Sequence, residues 1–106
     1  MTEYGRNGEV IVFVTYQGSA ESRFDRVYYV ERHLPMLRRL FAPLGLTGAQ
    51  VFFPPSQETG TIAICECRYR DEAALAACFA SPDMPGLAAD IGRFTDIMPV
   101  QLRATR

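Results

Sequence analysis

An excess of charge of either sign is missing from this chain. Its 11 basic and 12 acidic residues leave a net charge of −1. A general electrostatic hold on nucleic acid needs a basic patch, so no nucleic-acid partner is expected. Long apolar runs are missing too. None approaches the roughly 20 residues that a membrane-crossing helix needs, and the opening MTEYGRNGEV contains no apolar signal core. No membrane partner is expected, and the cytoplasm is the expected compartment. Cysteine is scarce and odd in number, with three residues, which argues against a disulfide framework. Cys65 and Cys67 form C-x-C rather than C-x-x-C. With Cys78 and His33 they lack the ligand spacing of the usual zinc sites, so no metal is expected and the thiols read as small apolar packing. Signatures of a Ser-His-Asp triad, a paired carboxylate site, a phosphate loop or a dinucleotide fold are also absent. No cofactor is expected.

What is present suits one small domain over residues 1–106, with residues 1–8 as a flexible N-terminal tail. Apolar residues make up 48% and charged residues 22%, an ordinary globular mix. EVIVFVTY (9–16) is a β-branched and aromatic strand. Asp25 offers an N-cap to a helix that runs to about Phe41, where Pro43 and Gly45 break it. LTGAQVFF (46–53) and TIAICECRYR (61–70) are the next strands, separated by a turn over 54–60. Asp71 caps an alanine-rich helix to Ser81, and a short helix with Pro82 at its first position runs to about Gly92. FTDIMPVQLRA (94–104) is the last strand, with Pro99 marking an edge or a bulge. The order β-α-β-β-α-β predicts an α+β, ferredoxin-like fold, an antiparallel four-stranded sheet with helices on one face.

Alternation along the strands carries this further. Val10, Val12 and Val14 point to one side of the first strand, Ile11 and Phe13 to the other. Both faces are apolar, and two helices cover one face only. The uncovered face is a partner surface. A second copy related by two-fold symmetry is the simplest occupant, giving a homodimer in the form of a dimeric α/β barrel.

The only histidine lies in FDRVYYVERHLPML (24–37). At about 100° per residue, Val27, Val30, Leu34, Leu37 and Phe41 form the central apolar stripe of this helix. His33 falls on the flank of the stripe with Tyr29, Met36 and Leu40, and Tyr29 is one turn away. Pro35 removes an amide and leaves the carbonyl of Glu31 without its helical partner, so a kink is expected just after His33. A histidine there is either a satisfied core residue or a proton-exchanging group at the edge of a pocket. A second cluster is FTD with IMP (94–99). Asp96 can orient an imidazole or serve as a turn residue; Asp90 reads as a solvated helix residue.

RFDRVYYVERHLPML (23–37) resembles a motif of the EthD family, an R-F-D start, a tyrosine pair and H-x-P. ADIGRFTDIMPV (89–100) resembles its second motif, D-x-x-x-[FY]-T-D-x-x-P. The resemblance implies a dimeric α/β barrel. It also implies, by position, that His33 is the family histidine, Tyr28 and Tyr29 its tyrosine pair and Asp96 its aspartate. The family is named for degradation of ethyl tert-butyl ether. Similar proteins include cofactor-free decarboxylases and dehydratases of polyketide pathways, and related barrels include quinone-forming monooxygenases and lactone isomerases.

Together these readings give two expectations. The first is a cofactor-free lyase, isomerase or oxygenase acting on a small apolar or aromatic molecule. His33 would be its general acid or base, with Asp96 and Tyr29 as its catalytic partners. Tyr28, Tyr16, Phe13, Met36 and Phe94 would contact the substrate. The second is a non-catalytic ligand-binding or accessory protein of a degradation pathway. Haem held by His33 is a further reading.

Overall fold

A computed structural model describes residues 8–104, and the expected tail over 1–8 lies outside the described residues except for Gly8. The chain runs β1 (Val10–Gln17), α1 (Arg26–Tyr28), a π turn (Tyr29–His33), α2 (Leu34–Phe41), β2 (Leu46–Phe52), α3 (Ser56–Thr59), β3 (Thr61–Tyr69), α4 (Glu72–Ala80), α5 (Met84–Asp90) and β4 (Val100–Ala104). The strands form one sheet in the order β2-β3-β1-β4, every neighbouring pair antiparallel. This is the expected ferredoxin-like α+β arrangement. Among the described residues no helix is long and apolar enough to cross a membrane.

The first helical segment begins as its sequence dictates. The Asp25 carboxylate accepts the amide proton of Tyr28 at 3.0 Å, satisfying one of the free donors of the first turn. Regular winding then fails. Pro35 has no amide to give Glu31, and its ring crowds that carbonyl. The chain responds with a wider turn over Tyr29–His33, in which the amide of Leu34 donates to the carbonyl of Tyr29, five residues back. The kink expected after His33 is thus a π turn at His33 itself.

That turn changes which side chains face inward. Val27 and Val30, expected in the central stripe, are 64% and 42% exposed. Leu34, Leu37 and Phe41 are buried as expected, and Tyr29 and His33 are buried in place of the two valines. Positions four apart drift around a regular helix. The wider turn absorbs the drift and brings Tyr29 and His33 onto the buried side.

Gly45 shows why α2 must end where it does. Its φ of +117° suits glycine, and a Cβ there would stand 2.3 Å from the Cβ of Ala74 on α4. The last strand is shorter than expected. Residues 94–99 are not strand, because Phe94 and Thr95 spend their backbone groups on the loop before α1: Asp25 donates its amide to the carbonyl of Phe94 at 2.8 Å, and Phe24 bridges Thr95. Pro82 likewise precedes α5 rather than opening it; Pro85 sits in its first turn.

Val10, Val12 and Tyr16 of β1 join Cys65, Cys67 and Tyr69 of β3 in the core beneath the helices. The opposite sheet face carries Phe13, which pairs with Glu66 on one side and Leu102 on the other. No helix among the described residues covers it, and Phe52, Val100 and Leu102 are 52%, 56% and 61% exposed.

Candidate active site

An apolar cavity of about 120 Å³ lies between the inner sheet face and the helices. Tyr16, Cys65 and Cys67 form its floor, Tyr29 and His33 one wall, and Leu87 and Ile91 of the α5 region the other. A wider groove of about 340 Å³ adjoins it past Val12, Phe79 and Gln101. An ion pair from Arg103 on β4 to Glu72 on α4 spans that groove.

His33 is buried, and its imidazole Nδ1 lies 2.9 Å from Oδ2 of Asp90. An ionised carboxylate only accepts, so Nδ1 carries the proton and donates. Nε2 has no protein hydrogen-bond partner among the described residues, and the ring lines the cavity. Burial pulls the His33 pKa below its ordinary value, outweighing the hydrogen bond and the charge of Asp90, which act upward. The imidazole is therefore neutral at neutral pH, with Nε2 as the basic atom.

Asp90 is the last residue of α5, the negative end of the helix dipole, where a carboxylate is disfavoured. Three donors offset this. Tyr28 gives its hydroxyl to Oδ1 at 2.8 Å, Arg93 stands 3.4 Å from Oδ1, and His33 takes Oδ2. Burial pushes the Asp90 carboxyl up, but the hydrogen bonds from His33 and Tyr28 and the Arg93 charge hold it below the usual carboxylate range. Donation to Asp90 in turn raises the Tyr28 phenol.

Aromatic packing fixes the imidazole. Its ring stacks on Tyr29, with centroids 5.6 Å apart and planes 17° from parallel. Phe94, fully buried, lies 4.9 Å from His33 and 4.8 Å from Tyr29. Burial pushes the phenols of Tyr16 and Tyr29 well above their ordinary value, so both remain protonated donors. Cys65 and Cys67 stand with sulfurs 3.7 Å apart, free thiols rather than a disulfide.

The two sequence motifs meet in space. Arg23 donates to the carbonyl of Gly92 at 2.8 Å and to Asp96 at 2.8 Å. The buried hydroxyl of Thr95 donates to the carbonyl of Arg23 at 2.7 Å and accepts the amide of Ile97 at 3.1 Å. Arg23 thus satisfies a carbonyl beyond the end of α5. The whole strap holds the start of the first helix against the end of α5, the geometry that lets His33 reach Asp90.

The expected site residues divide accordingly. Tyr16, Tyr29 and His33 line the cavity. Phe94 and Tyr28 stand behind it, against His33 and Asp90. Met36 packs on the core and does not line the cavity. Phe13 is on the far face of the sheet, because odd-numbered positions of β1 point away from the helices. Asp96 does not orient His33: its side chain is 80% exposed and paired with Arg23. Asp90, read as a solvated residue, holds that position. It is the first residue of the second motif, so its signal was in the sequence, beside an aspartate of the same chemistry.

Compared by sequence, no family model and no curated protein matches the chain. Solved structures do. An EthD-like protein from Ralstonia eutropha JMP134 superposes with a TM-score of 0.76 at 27% identity, over 92% of this chain and 90% of that one. An EthD family protein from Bacillus halodurans C-125 gives 0.68 at 19% identity, over 92% and 98%. A hydroxynitrile lyase from Passiflora edulis gives 0.68 at 13% identity, over 93% and 94%. The chain thus shares the fold of these EthD-like proteins, and its R-F-D and F-T-D motifs are strapped together on it.

Proposed function

We propose that the chain is a cofactor-free enzyme that moves a proton on a small apolar or aromatic molecule, with His33 as general base and then general acid. One observation carries the reading. The only imidazole of the chain is held neutral, with Nδ1 on Asp90 and Nε2 left to an apolar cavity. A base so placed takes a proton from a bound O–H or C–H, and Asp90 stabilises the imidazolium that results. Tyr16 and Tyr29 are protonated donors for the negative charge left on the substrate. The imidazolium then returns the proton to a leaving group or to another substrate atom. Lyase, isomerase and oxygenase reactions can all start this way. All 11 basic residues are arginine, so an imine formed on lysine is not among the routes. That one structural neighbour is a hydroxynitrile lyase supports the lyase class on this fold.

The same reading takes the exposed sheet face as the contact of a homodimer and the free cysteines as a mark of a reducing, cytoplasmic setting. A second reading is favoured by the modest volume of about 120 Å³: an accessory protein, of the ethyl tert-butyl ether degradation type, that holds a small ligand unchanged.

One experiment separates them. The protein is incubated with a panel of small cyanohydrins, phenols and hydroxyketones while the His33 ring signals are followed by NMR. Product formation that disappears in a folded His33→Gln variant supports the enzyme. Saturable shifts without product at any protein concentration support the accessory protein. Full turnover in His33→Gln would sink the enzymatic assignment of this residue.

A further inference from the structure

Charge distribution around the cavity narrows the ligand class. Of the described residues that line it, none carries a formal charge: the polar ones are Tyr16, Tyr29, Tyr69, His33 and Gln101, with two thiols. The nearby arginines are committed elsewhere. Arg38 donates to the carbonyl of Ala49 at 2.6 Å, Arg23 pairs with Asp96, Arg103 of the adjoining groove pairs with Glu72, and Arg93 stands on the Asp90 oxygen that Tyr28 also holds. Directly behind His33 stands the Asp90 carboxylate, one imidazole away.

An anion brought into this space would lose its water, meet no unpaired cation among the described residues and face a carboxylate across His33. Each of these opposes binding, and burying an unpaired charge is among the largest penalties available to a site. A neutral guest meets none of them. An apolar cavity of about 150 Å³ takes up benzene, so a ring-sized group is near the limit of the space of about 120 Å³ found here. Anything longer would extend past Phe79 and Gln101 into the adjoining groove.

We infer that the group presented to His33 is uncharged and no larger than a substituted ring: a neutral alcohol, phenol or carbonyl compound, not a carboxylate or a phosphate ester. The inference rests on the proposed role of His33 and adds the charge of its substrate. On that chemistry the proton leaves the substrate O–H or C–H for Nε2, and the bonding electron pair stays on the substrate. The pair His33–Asp90 passes from a net charge of −1 to neutral as the substrate becomes the anion. Total charge in the site is conserved, and the tyrosine hydroxyls receive it.

The test uses the whole protein at about pH 8, where both imidazole and phenol are neutral. The probes are phenol, benzyl alcohol and benzaldehyde against benzoate and phenyl phosphate, read as saturable shifts of the His33 signals. Neutral probes are expected to bind at least tenfold more tightly than benzoate. Gln101→Arg would place a cation at the rim and should raise the ratio of benzoate to benzyl alcohol affinity at least tenfold. Benzoate binding as tightly as benzyl alcohol to the natural protein overturns the inference and leaves His33 as a candidate base. Failure of Gln101→Arg to raise that ratio also overturns it. If no probe of either class moves His33, both this inference and the function proposed above fall.

Discussion

Asp90 and His33, 57 positions apart in the chain, share a 2.9 Å hydrogen bond in which the carboxylate at the end of α5 fixes the tautomer of the imidazole on the first helix. Neither residue is well placed for stability alone. The carboxylate opposes its helix dipole, and the imidazole loses solvent. Each is tolerable because the other is there, which is the pattern of a functional pair as well as a structural one.

Removing each partner should have a different signature. His33→Gln is expected to lower turnover on a true substrate by roughly 10²–10⁴-fold, the usual worth of a general base. Asp90→Asn keeps the shape but loses the charge that favours the imidazolium. The His33 titration should move further down, and turnover should drop without loss of fold. NMR of the single histidine and circular dichroism together read both effects. A His33 titration unchanged in Asp90→Asn would show that the pair is not electrostatically linked.

Stability should decline as the solution is acidified through the histidine range. The folded pKa of His33 lies below its unfolded value of about 6.5. Between those two values the unfolded chain binds the proton and the folded one does not, so stability rises with pH across that window and falls as pH drops. Asp90, depressed in the folded state, adds a loss of the same sign at lower pH, as it protonates. Urea titrations from about pH 5 to 8 should show the decline, and His33→Gln should flatten its upper part.

The aromatic backing should matter more than the surface ion pair. Phe94 is fully buried between His33, Tyr29, Tyr16 and Phe24. Phe94→Ala is expected to cost about 3–5 kcal/mol. Thr95→Val should cost about 1–3 kcal/mol, because the carbonyl of Arg23 and amide of Ile97 lose the buried hydroxyl that they share. Asp96→Asn, at an exposed pair, should leave the melting temperature nearly unchanged. Thermal melts of the three variants rank them; an Asp96 effect above that of Thr95 would reverse the account of the strap.

Much of this was legible in the sequence, and the failures have physical causes. Asp25 and Asp71 announced their helices because an N-cap is a local device. Element order followed from period and spacing. The inward face of the first helix did not, since the expected stripe through Val27 and Val30 assumed regular winding and Pro35 prevents it. The last strand is shorter than the pattern predicts because Phe94 and Thr95 are as apolar or β-branched as a strand requires, yet pair with the loop before the first helix. Asp90 meets the imidazole and Asp96 does not, since spacing along a chain says nothing of which carboxylate folding brings to it.

The uncovered sheet face makes a prediction about assembly. Phe52, Val100 and Leu102 are exposed together beside the half-buried Phe13. Sedimentation should find a dimer. Leu102→Glu, on the edge strand β4 and away from the cavity, should shift it to monomer with the His33 signals retained. A monomeric natural protein would leave this face without the proposed partner.

The π turn has a last consequence. It lets one extra residue ride inside a helix without disturbing what lies on either side. Excising a single position from Tyr29–His33 would heal the ladder into a regular helix. It would also remove Tyr29 or His33, or bring them from four positions apart to three. The site is therefore indexed by residue count. This helix should accept many exchanges of side chain on its wet face, but hardly a gain or loss of length between Asp25 and Pro35.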